Sequence, residues 1–267
     1  MAREPVQEPV QDPRARHRPR RALPSPLPSP SQLFVSNAGA TTHAHFDHYD
    51  NFYQQCVGRK RMVLFDPGQG RNLYPYPVLH PLDMRARPVG AAARQGFAHV
   101  DHKKWPKFAA AAAAETVLEP GDLLYIPAHW WHDVTTLDDA CVSLNWWFDI
   151  NAKLLNPAHP LGPSLTTELA RHVEYFVGDA LGATQVQAFC TALRSELTAG
   201  EPGPEDAPPA RFVPYLNYVL HHLARLLGAA NVATFVGDFL YPERFDGLKV
   251  KDTKVCHEGS GRAQVES

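Results

Sequence analysis

The chain has 267 residues, of which 44% are hydrophobic and 20% are charged, and its formal net charge is -2. A chain of this length can bury one sizeable core, so we expect one main domain with appendages, and the near-neutral charge argues against nucleic acid or an anionic membrane as a partner. No run approaches the roughly 18 apolar residues of a membrane span and no secretory signal is visible, so an intracellular protein of the cytoplasm or nucleus is expected.

Residues 1–31 are expected to form a disordered tail. The first thirty residues hold eight prolines and no aromatic residue, so they cannot bury enough apolar surface to fold. A basic run from Arg14 to Arg21 is typical of a nuclear import signal or a transit peptide, but acidic residues in the same segment weaken the second interpretation. A solvated arginine tail is the favoured alternative.

Residues 32–150 are expected to form a β-rich catalytic domain. Short alternating or apolar runs are broken there by Gly, Pro and Asp, a pattern that is typical of strands. The runs are LFVS, NFYQQCV, KRMVLF, ETVLE, DLLYIP, HDVTTL and CVSLNWWF. Several short strands with no helical period between most of them predict a barrel or a sandwich.

Residues 151–245 are expected to form a helical extension, followed by a polar flexible tail over residues 246–267. Helices are predicted over residues 164–177 and 184–197, and, after a proline-rich linker over residues 201–210, in VPYLNYVLHHLARLLG and NVATFVGDFL. The first of these helices has Leu165, Leu169, Val173 and Phe176 on one face. The third has an apolar stripe that is wider than one barrel face requires.

The stretch ATTHAHFDHYDNFYQQ, residues 40–55, places His45 and Asp47 two residues apart. On a strand both side chains face the same way, while Phe46 turns into the packing on the other side. Two histidines and one carboxylate bind Fe(II) in oxygenases, so this stretch is a candidate for half of such a site. The alternative is a solvated loop, because isolated His-x-Asp triplets arise by chance.

A third ligand must come from elsewhere in the chain. The segment YIPAHWWHDV offers His129 and His132 on a late strand that could fold back beside the first pair. Lys60, fifteen residues after His45, could pair with a carboxylate inside the barrel. The alternative for Lys60 is an exposed strand lysine.

Four stretches together resemble a known family: TTHAHFDHYDNFYQQCVGRKRMVLFDP, NLYPYPVLHPLD, PGDLLYIPAHWWHDV and SLNWWF. They are similar to the Jumonji-C (JmjC) branch of the cupin superfamily, and in particular to the asparaginyl hydroxylase group called factor inhibiting hypoxia-inducible factor. The resemblance covers about residues 32–150. It implies a mainly β fold, a double-stranded β-helix or jelly-roll barrel, that uses Fe(II), 2-oxoglutarate and O2.

The resemblance also implies roles for single residues. By this resemblance the iron ligands are His45, Asp47 and His132, and His129 has no counterpart. The residues that correspond to cosubstrate-binding positions are Thr42, Asn51, Lys60, Asn145 and Trp147. Four aromatic residues are expected to exclude water from the site, namely Phe46, Phe52, Trp130 and Trp131.

The function implied by the resemblance is hydroxylation of a side chain in a protein or peptide, with decarboxylation of 2-oxoglutarate to succinate. The substrate residue cannot be carried over, because Met84 and Arg85 follow the His80–Asp83 motif where the asparaginyl hydroxylase has arginine and glutamine. Alternatives are a histone lysine demethylase, a tRNA-base hydroxylase or a non-catalytic cupin-fold binding protein. A homodimer through the C-terminal helices is expected, unless these helices only cover their own barrel.

Overall fold

The computed structural model describes residues 31–88, 100–148, 160–198 and 207–248. Residues 1–30 of the predicted N-terminal tail lie outside these ranges, as do most of the predicted linker over residues 201–210 and residues 249–267 of the C-terminal tail. The first strand begins at Ser31, next to the predicted start of the β-rich domain.

Eight strands form two four-stranded antiparallel sheets. The strands are β1 (Ser31–Ser36), β2 (Thr41–His45), β3 (Asp50–Val57), β4 (Lys60–Phe65), β5 (Ala114–Leu118), β6 (Leu123–Ile126), β7 (Trp131–Thr136) and β8 (Cys141–Phe148). The strand order is β1-β8-β3-β6 in the first sheet and β2-β7-β4-β5 in the second. No ladder between described strands joins the sheets, so the expected mainly β fold is confirmed as two sheets rather than as a closed barrel.

The side-chain alternation of the strands determines which polar groups lie between the sheets. In β3, Asn51, Tyr53 and Gln55 are buried, whereas Phe52 between them is 37% exposed. In β8, Ser143 and Asn145 are buried on the same period of two. The inward positions of these neighbouring strands therefore carry hydrogen-bonding groups where a simple sandwich would carry aliphatic ones.

One short helix lies within the β-rich region of the described chain, and four longer helices follow the sheets, as the sequence predicts. They are α1 (Gly70–Leu73), a single turn within the β-rich region, and then α2 (Pro163–Leu181), α3 (Val186–Thr198), α4 (Val213–Leu227) and α5 (Ala229–Phe239). No single helix among the described residues is long and apolar enough to span a membrane. One bent pair of helical segments, Val213–Leu227 and Ala229–Phe245, reaches the length and apolar composition of a span, and this is its only resemblance to one.

The helical extension has its own hydrophobic core. Leu216, Val219 and Leu223 of α4 are buried in it, together with side chains of α2, α3 and α5. Most of the wide apolar stripe of α4 is thus covered by other helices of the same chain, although Val213 and Leu226 remain more than 40% exposed. The homodimer stays a prediction.

The buried face of α2 differs from the one that its apolar residues predict. Phe176 is 37% exposed, while Arg171 and Glu174 are 5% and 1% exposed. The charges are buried because they have partners: Arg171 donates two hydrogen bonds of 2.7 Å to Asp83, and Glu174 forms an ion pair with Arg244. A hydrophobic period cannot reveal such partners, since both lie far away in the sequence.

We expect Glu174→Ala to lower the free energy of unfolding by about 3–5 kcal/mol, because Arg244 would stay buried without its carboxylate. Urea unfolding of the two proteins measures this difference. The matched control is Glu243→Ala, which breaks an exposed pair with Arg194 and should cost less than about 1 kcal/mol. Similar losses in the two variants would contradict a structural role for the buried pair.

Candidate metal and cosubstrate site

Two imidazoles face each other across β2 and β7. His45 and His132 are direct partners in the antiparallel register, and their ring centroids are 4.1 Å apart. Nδ1 of His45 lies 2.8 Å from the carbonyl oxygen of His43, and Nδ1 of His132 lies 3.0 Å from that of Trp130. A carbonyl oxygen only accepts, so each Nδ1 carries the proton and each Nε2 keeps a lone pair for a metal ion.

Asp47 lies just beyond β2 and not on a strand, which corrects the local geometry that the sequence predicts. The strand ends at His45, and Phe46 turns away and is buried, as expected. The carboxylate Oδ2 of Asp47 accepts a hydrogen bond of 3.1 Å from Nε1 of Trp147 and lies 3.8 Å from Nε2 of His132. One ligand atom from each of His45, Asp47 and His132 lies within 4.8 Å of the others.

The electrostatics of His45 suit a metal ligand. Burial and, to a smaller extent, the nearby His132 lower the pKa of His45 to about 4, against an opposing effect of Asp47. At neutral pH the His45 imidazole is therefore uncharged, which is the form that binds a metal ion.

A cavity of about 280 Å³ lies between the sheets at this point. All eight predicted site residues line it, namely Thr42, His45, Asp47, Asn51, Lys60, His132, Asn145 and Trp147. Four lining residues were not predicted, namely Gln32, Phe34, Tyr53 and Val134. Tyr53 could have been found from the sequence, because it is two residues after Asn51 on the same strand and so shares its face.

Thr42 and His45 share this cavity although they are three residues apart. In a regular strand an odd separation places two side chains on opposite faces. The pairing of β2 with β7 shifts register between Thr42 and His45, so an irregularity of the bulge type returns both side chains to the cavity.

Lys60 is buried in the cavity wall, so the exposed-lysine alternative does not hold. It is 4% exposed, and its Nζ donates hydrogen bonds of 2.9 Å to the Tyr53 hydroxyl and to the Ser143 hydroxyl. Among the described residues, no carboxylate lies within 4.0 Å of this ammonium group. A buried cation without an anionic partner is unfavourable, and a bound carboxylate would satisfy it.

Two amides extend the same polar wall. Asn51 and Asn145 are 2% and 3% exposed, and the Oδ1 atom of each has no hydrogen-bond partner among the residues that the structure describes. Buried polar atoms of this kind are rare unless a ligand or water satisfies them. The lysine and the two amides therefore fit a ligand with several polar groups, placed beside the two free imidazole nitrogens and the carboxylate.

The four aromatic residues that were predicted to exclude water from the site do not line the cavity, so this prediction is wrong. None of Phe46, Phe52, Trp130 and Trp131 lines the cavity. Phe52 is on the outer face of its strand, and Phe46 packs on Trp131 with ring centroids 4.8 Å apart in a separate cluster behind the site. The apolar part of the wall comes instead from Phe34, Val134 and Trp147.

A family model described as "Cupin-like domain" matches residues 2–153. The chain belongs to this cupin-like family. The match includes all eight strands and all eight predicted site residues. The expected relationship to cupin folds is confirmed.

Curated relatives of this cupin-like chain have several different names. HSPB1-associated protein 1 of Rattus norvegicus is 34% identical over 121 residues, which are 45% of this chain and 24% of the relative. Lysine-specific demethylase 8 of Xenopus tropicalis is 31% identical over 112 residues, which are 41% of this chain and 23% of the relative. tRNA wybutosine-synthesizing protein 5 of Gallus gallus is 32% identical over 141 residues, which are 52% of this chain and 40% of the relative.

These alignments cover less than half of each relative, and about a quarter of the first two. Another relative, from Dictyostelium discoideum, is named as a JmjC domain-containing protein. The resemblance to JmjC proteins is thus confirmed at the level of the family.

The buried lysine predicts an unusual stability effect. We expect Lys60→Met to leave the ligand-free protein as stable as the wild type or more stable, by up to about 4 kcal/mol, because it removes an uncompensated buried charge while Tyr53 and Ser143 still bond to each other. Chemical unfolding measures the change. Arg61→Met on the same strand is the control, since it breaks a more exposed pair with Glu115 and should cost about 1 kcal/mol or less. A clear loss of stability in Lys60→Met alone would mean that the ammonium is a structural element.

Proposed function

We propose that this protein is an Fe(II)- and 2-oxoglutarate-dependent dioxygenase that hydroxylates a protein side chain. The observation that carries the proposal is that Lys60, which is buried and forms no ion pair with a described carboxylate, lines the same cavity as the imidazoles of His45 and His132 and the carboxylate of Asp47. A metal site alone needs no buried lysine, and an anion site alone needs no pair of free imidazole nitrogens. A cosubstrate that chelates a metal with one end and carries a carboxylate at the other accounts for both.

His45, Asp47 and His132 would hold the metal ion. The carbonyl oxygens of His43 and Trp130 fix the two imidazoles in the tautomer that leaves Nε2 free. Trp147 fixes Oδ2 of Asp47 through its indole N–H. When bound, Fe(II) supplies the activation of O2 that couples decarboxylation of 2-oxoglutarate to hydroxylation of the substrate.

The distal carboxylate of 2-oxoglutarate would bind at Lys60. Tyr53 and Ser143 orient the ammonium group, and Thr42 adds a hydroxyl to the same cavity. Asn51 and Asn145 offer amide groups whose oxygens lack partners in the described part of the chain. Phe34, Val134 and Trp147 reduce contact with water, which strengthens each of these polar interactions.

A protein substrate is favoured over a nucleic acid. One relative is named for its association with another protein, whereas another is named for the synthesis of wybutosine in tRNA. The near-neutral formal charge of -2 lacks the large positive excess that is typical of RNA-binding domains, so we place the tRNA alternative second. Lysine demethylation and a non-catalytic cupin remain as further alternatives, and the C-terminal helices are proposed to support a homodimer.

The proposal is tested by conversion of 2-oxoglutarate to succinate in the presence of Fe(II), with and without candidate proteins or tRNA. The wild type should form succinate and should bind one Mn(II) as a surrogate metal. Asp47→Ala should lose both properties, because it removes a charged ligand. Asp138→Ala, which removes an exposed carboxylate paired with Arg59, is the control and should behave as the wild type. Metal binding without any succinate formation would favour the non-catalytic alternative.

Lys60→Met should weaken 2-oxoglutarate binding at least ~30-fold, because loss of the charged partner costs ~2 kcal/mol or more. Thr42→Val should weaken it less, since it removes one neutral hydrogen bond. Titration of 2-oxoglutarate into the Mn(II)-loaded proteins gives both values, and Mn(II) affinity itself should not change in either variant. Arg61→Met again serves as the control. Wild-type affinity for 2-oxoglutarate in Lys60→Met would remove the main support for this cosubstrate.

A further inference from the structure

A second polar cluster lies outside the cavity, where α2 packs against the loop that carries Asp47. It consists of His48, His129 and Glu168, and one ring nitrogen or carboxylate oxygen of each lies within 4.8 Å of the others. None of the three lines the cavity, and the proposed mechanism uses none of them. His129 is fully buried, so its polar contacts need an explanation.

One carboxylate oxygen joins the cluster. Oε2 of Glu168 lies 2.8 Å from Nε2 of His129 and 3.3 Å from Nδ1 of His48. Burial raises the pKa of Glu168, but hydrogen bonds from His129 and His48 outweigh it and lower the pKa overall, so the carboxylate is ionised at neutral pH. A residue of α2 thus binds two separate segments of the β-rich region.

Both of these segments are directly connected to Asp47, one through the chain and the other through a hydrogen bond. His48 is its chain neighbour, and the main-chain N–H of His129 donates a hydrogen bond of 2.8 Å to the Asp47 carbonyl oxygen. The main-chain N–H of Ala128 also donates to the Asp50 carboxylate at 3.0 Å. The loop after β2 is therefore held partly by its own hydrogen bonds to Met84 and Trp147 and partly by residues that α2 supports from the outside.

The backbone of His129 indicates that its side chain matters. Its φ is 65°, in the left-handed region that a glycine adopts without strain. A histidine there is strained, and the strain persists because the surrounding contacts determine the conformation. The hydrogen bond to Glu168 is the polar contact that only the side chain can provide.

The geometry of this cluster suits direct hydrogen bonds between its side chains better than it suits a bound metal ion. The guanidinium group of Arg171 lies beside it, with Nη2 3.4 Å from Nε2 of His48 and Nε 4.0 Å from Oε2 of Glu168. A divalent cation there would be repelled by this buried charge at short range. The distance of 2.8 Å between His129 and Glu168 is that of a charge-assisted hydrogen bond.

We propose that Glu168 and His129 are positioning residues that hold Asp47 in place for metal binding. The inference rests on the proposed function, in which Asp47 is a metal ligand. Outer partners of a metal ligand fix its orientation and typically change metal affinity by about 10–100-fold when removed. The helical extension would thus take part in building the metal site although it contributes no ligand.

The test compares Glu168→Ala, Glu168→Gln and His129→Gly with the wild type. Glu168→Ala should weaken Mn(II) binding about 10-fold or more, and Glu168→Gln should weaken it less because the amide oxygen still accepts a hydrogen bond from His129. His129→Gly should resemble Glu168→Ala, since glycine keeps the backbone but removes the imidazole. His172→Ala is the matched control, because His172 is 66% exposed, contacts the other oxygen of Glu168 and does not reach the loop.

A second readout needs no metal. Hydrogen exchange of the metal-free proteins should be about 10-fold faster in the peptide that contains residues 46–50 of Glu168→Ala, while peptides of α3 and α4 exchange as in the wild type. Should Glu168→Ala fail to fold, Glu168→Gln and His129→Gly decide the question by the same two measurements.

The outcomes separate this inference from the proposed function. Wild-type Mn(II) affinity and loop exchange in folded Glu168 variants, beside lost Mn(II) binding in Asp47→Ala, would overturn the inference alone. Retention of Mn(II) by Asp47→Ala would overturn the proposed metal site, whereas the exchange data would still show whether Glu168 supports the loop. A second equivalent of metal that binds the wild type and is lost in Glu168→Ala would show that the cluster is itself a metal site and would refute the positioning role.

Discussion

The antiparallel pairing of β2 with β7 is the constraint on which the candidate site depends. It places His45 opposite His132, so that two imidazoles from distant parts of the chain reach the same cavity. A slip of one residue would turn one of them to the other face of the sheet, because side chains alternate along a strand. The register shift within β2 is part of the same constraint, since it brings Thr42 to the cavity as well. Strand pairing therefore determines the metal side of the site.

The cosubstrate side depends on contacts between the sheets. Lys60 belongs to β4 in one sheet, and its two hydrogen-bond partners, Tyr53 and Ser143, belong to β3 and β8 in the other. An apolar side chain at this position would pack more favourably in the absence of a ligand. The interior thus keeps a polar lining at a cost in stability, as is common where a cavity must bind a charged molecule. Met62 and Ile126 supply apolar packing nearby, in the small cluster between the sheets.

Local patterns predicted the strands and placed His45 near Asp47, whereas the choice of His132 over His129 and the cosubstrate residues came from the family resemblance. All seven predicted strand runs are strands, and the residues selected by family resemblance line one cavity. The error in α2 comes from a feature that is not local. The pattern of α2 predicted a buried Phe176, but the buried positions belong to Arg171 and Glu174, whose partners are Asp83 and Arg244. The misplacement of Phe52 has another cause, because strand alternation already put it on the face opposite to Asn51 and the prediction did not apply that rule.

The three candidate ligands differ in what holds them. His45 and His132 lie on strands whose ladders fix their backbone, and a carbonyl oxygen orients each ring. Asp47 lies beyond the end of β2, where no ladder bond fixes it, and its carboxylate is held by Trp147 from the opposite sheet. Its main chain bonds to His129, which in turn bonds to Glu168 on α2, more than one hundred residues further along the chain. Trp147 thus orients the carboxylate of Asp47, and in this fold the helical extension is placed to support its main chain through His129.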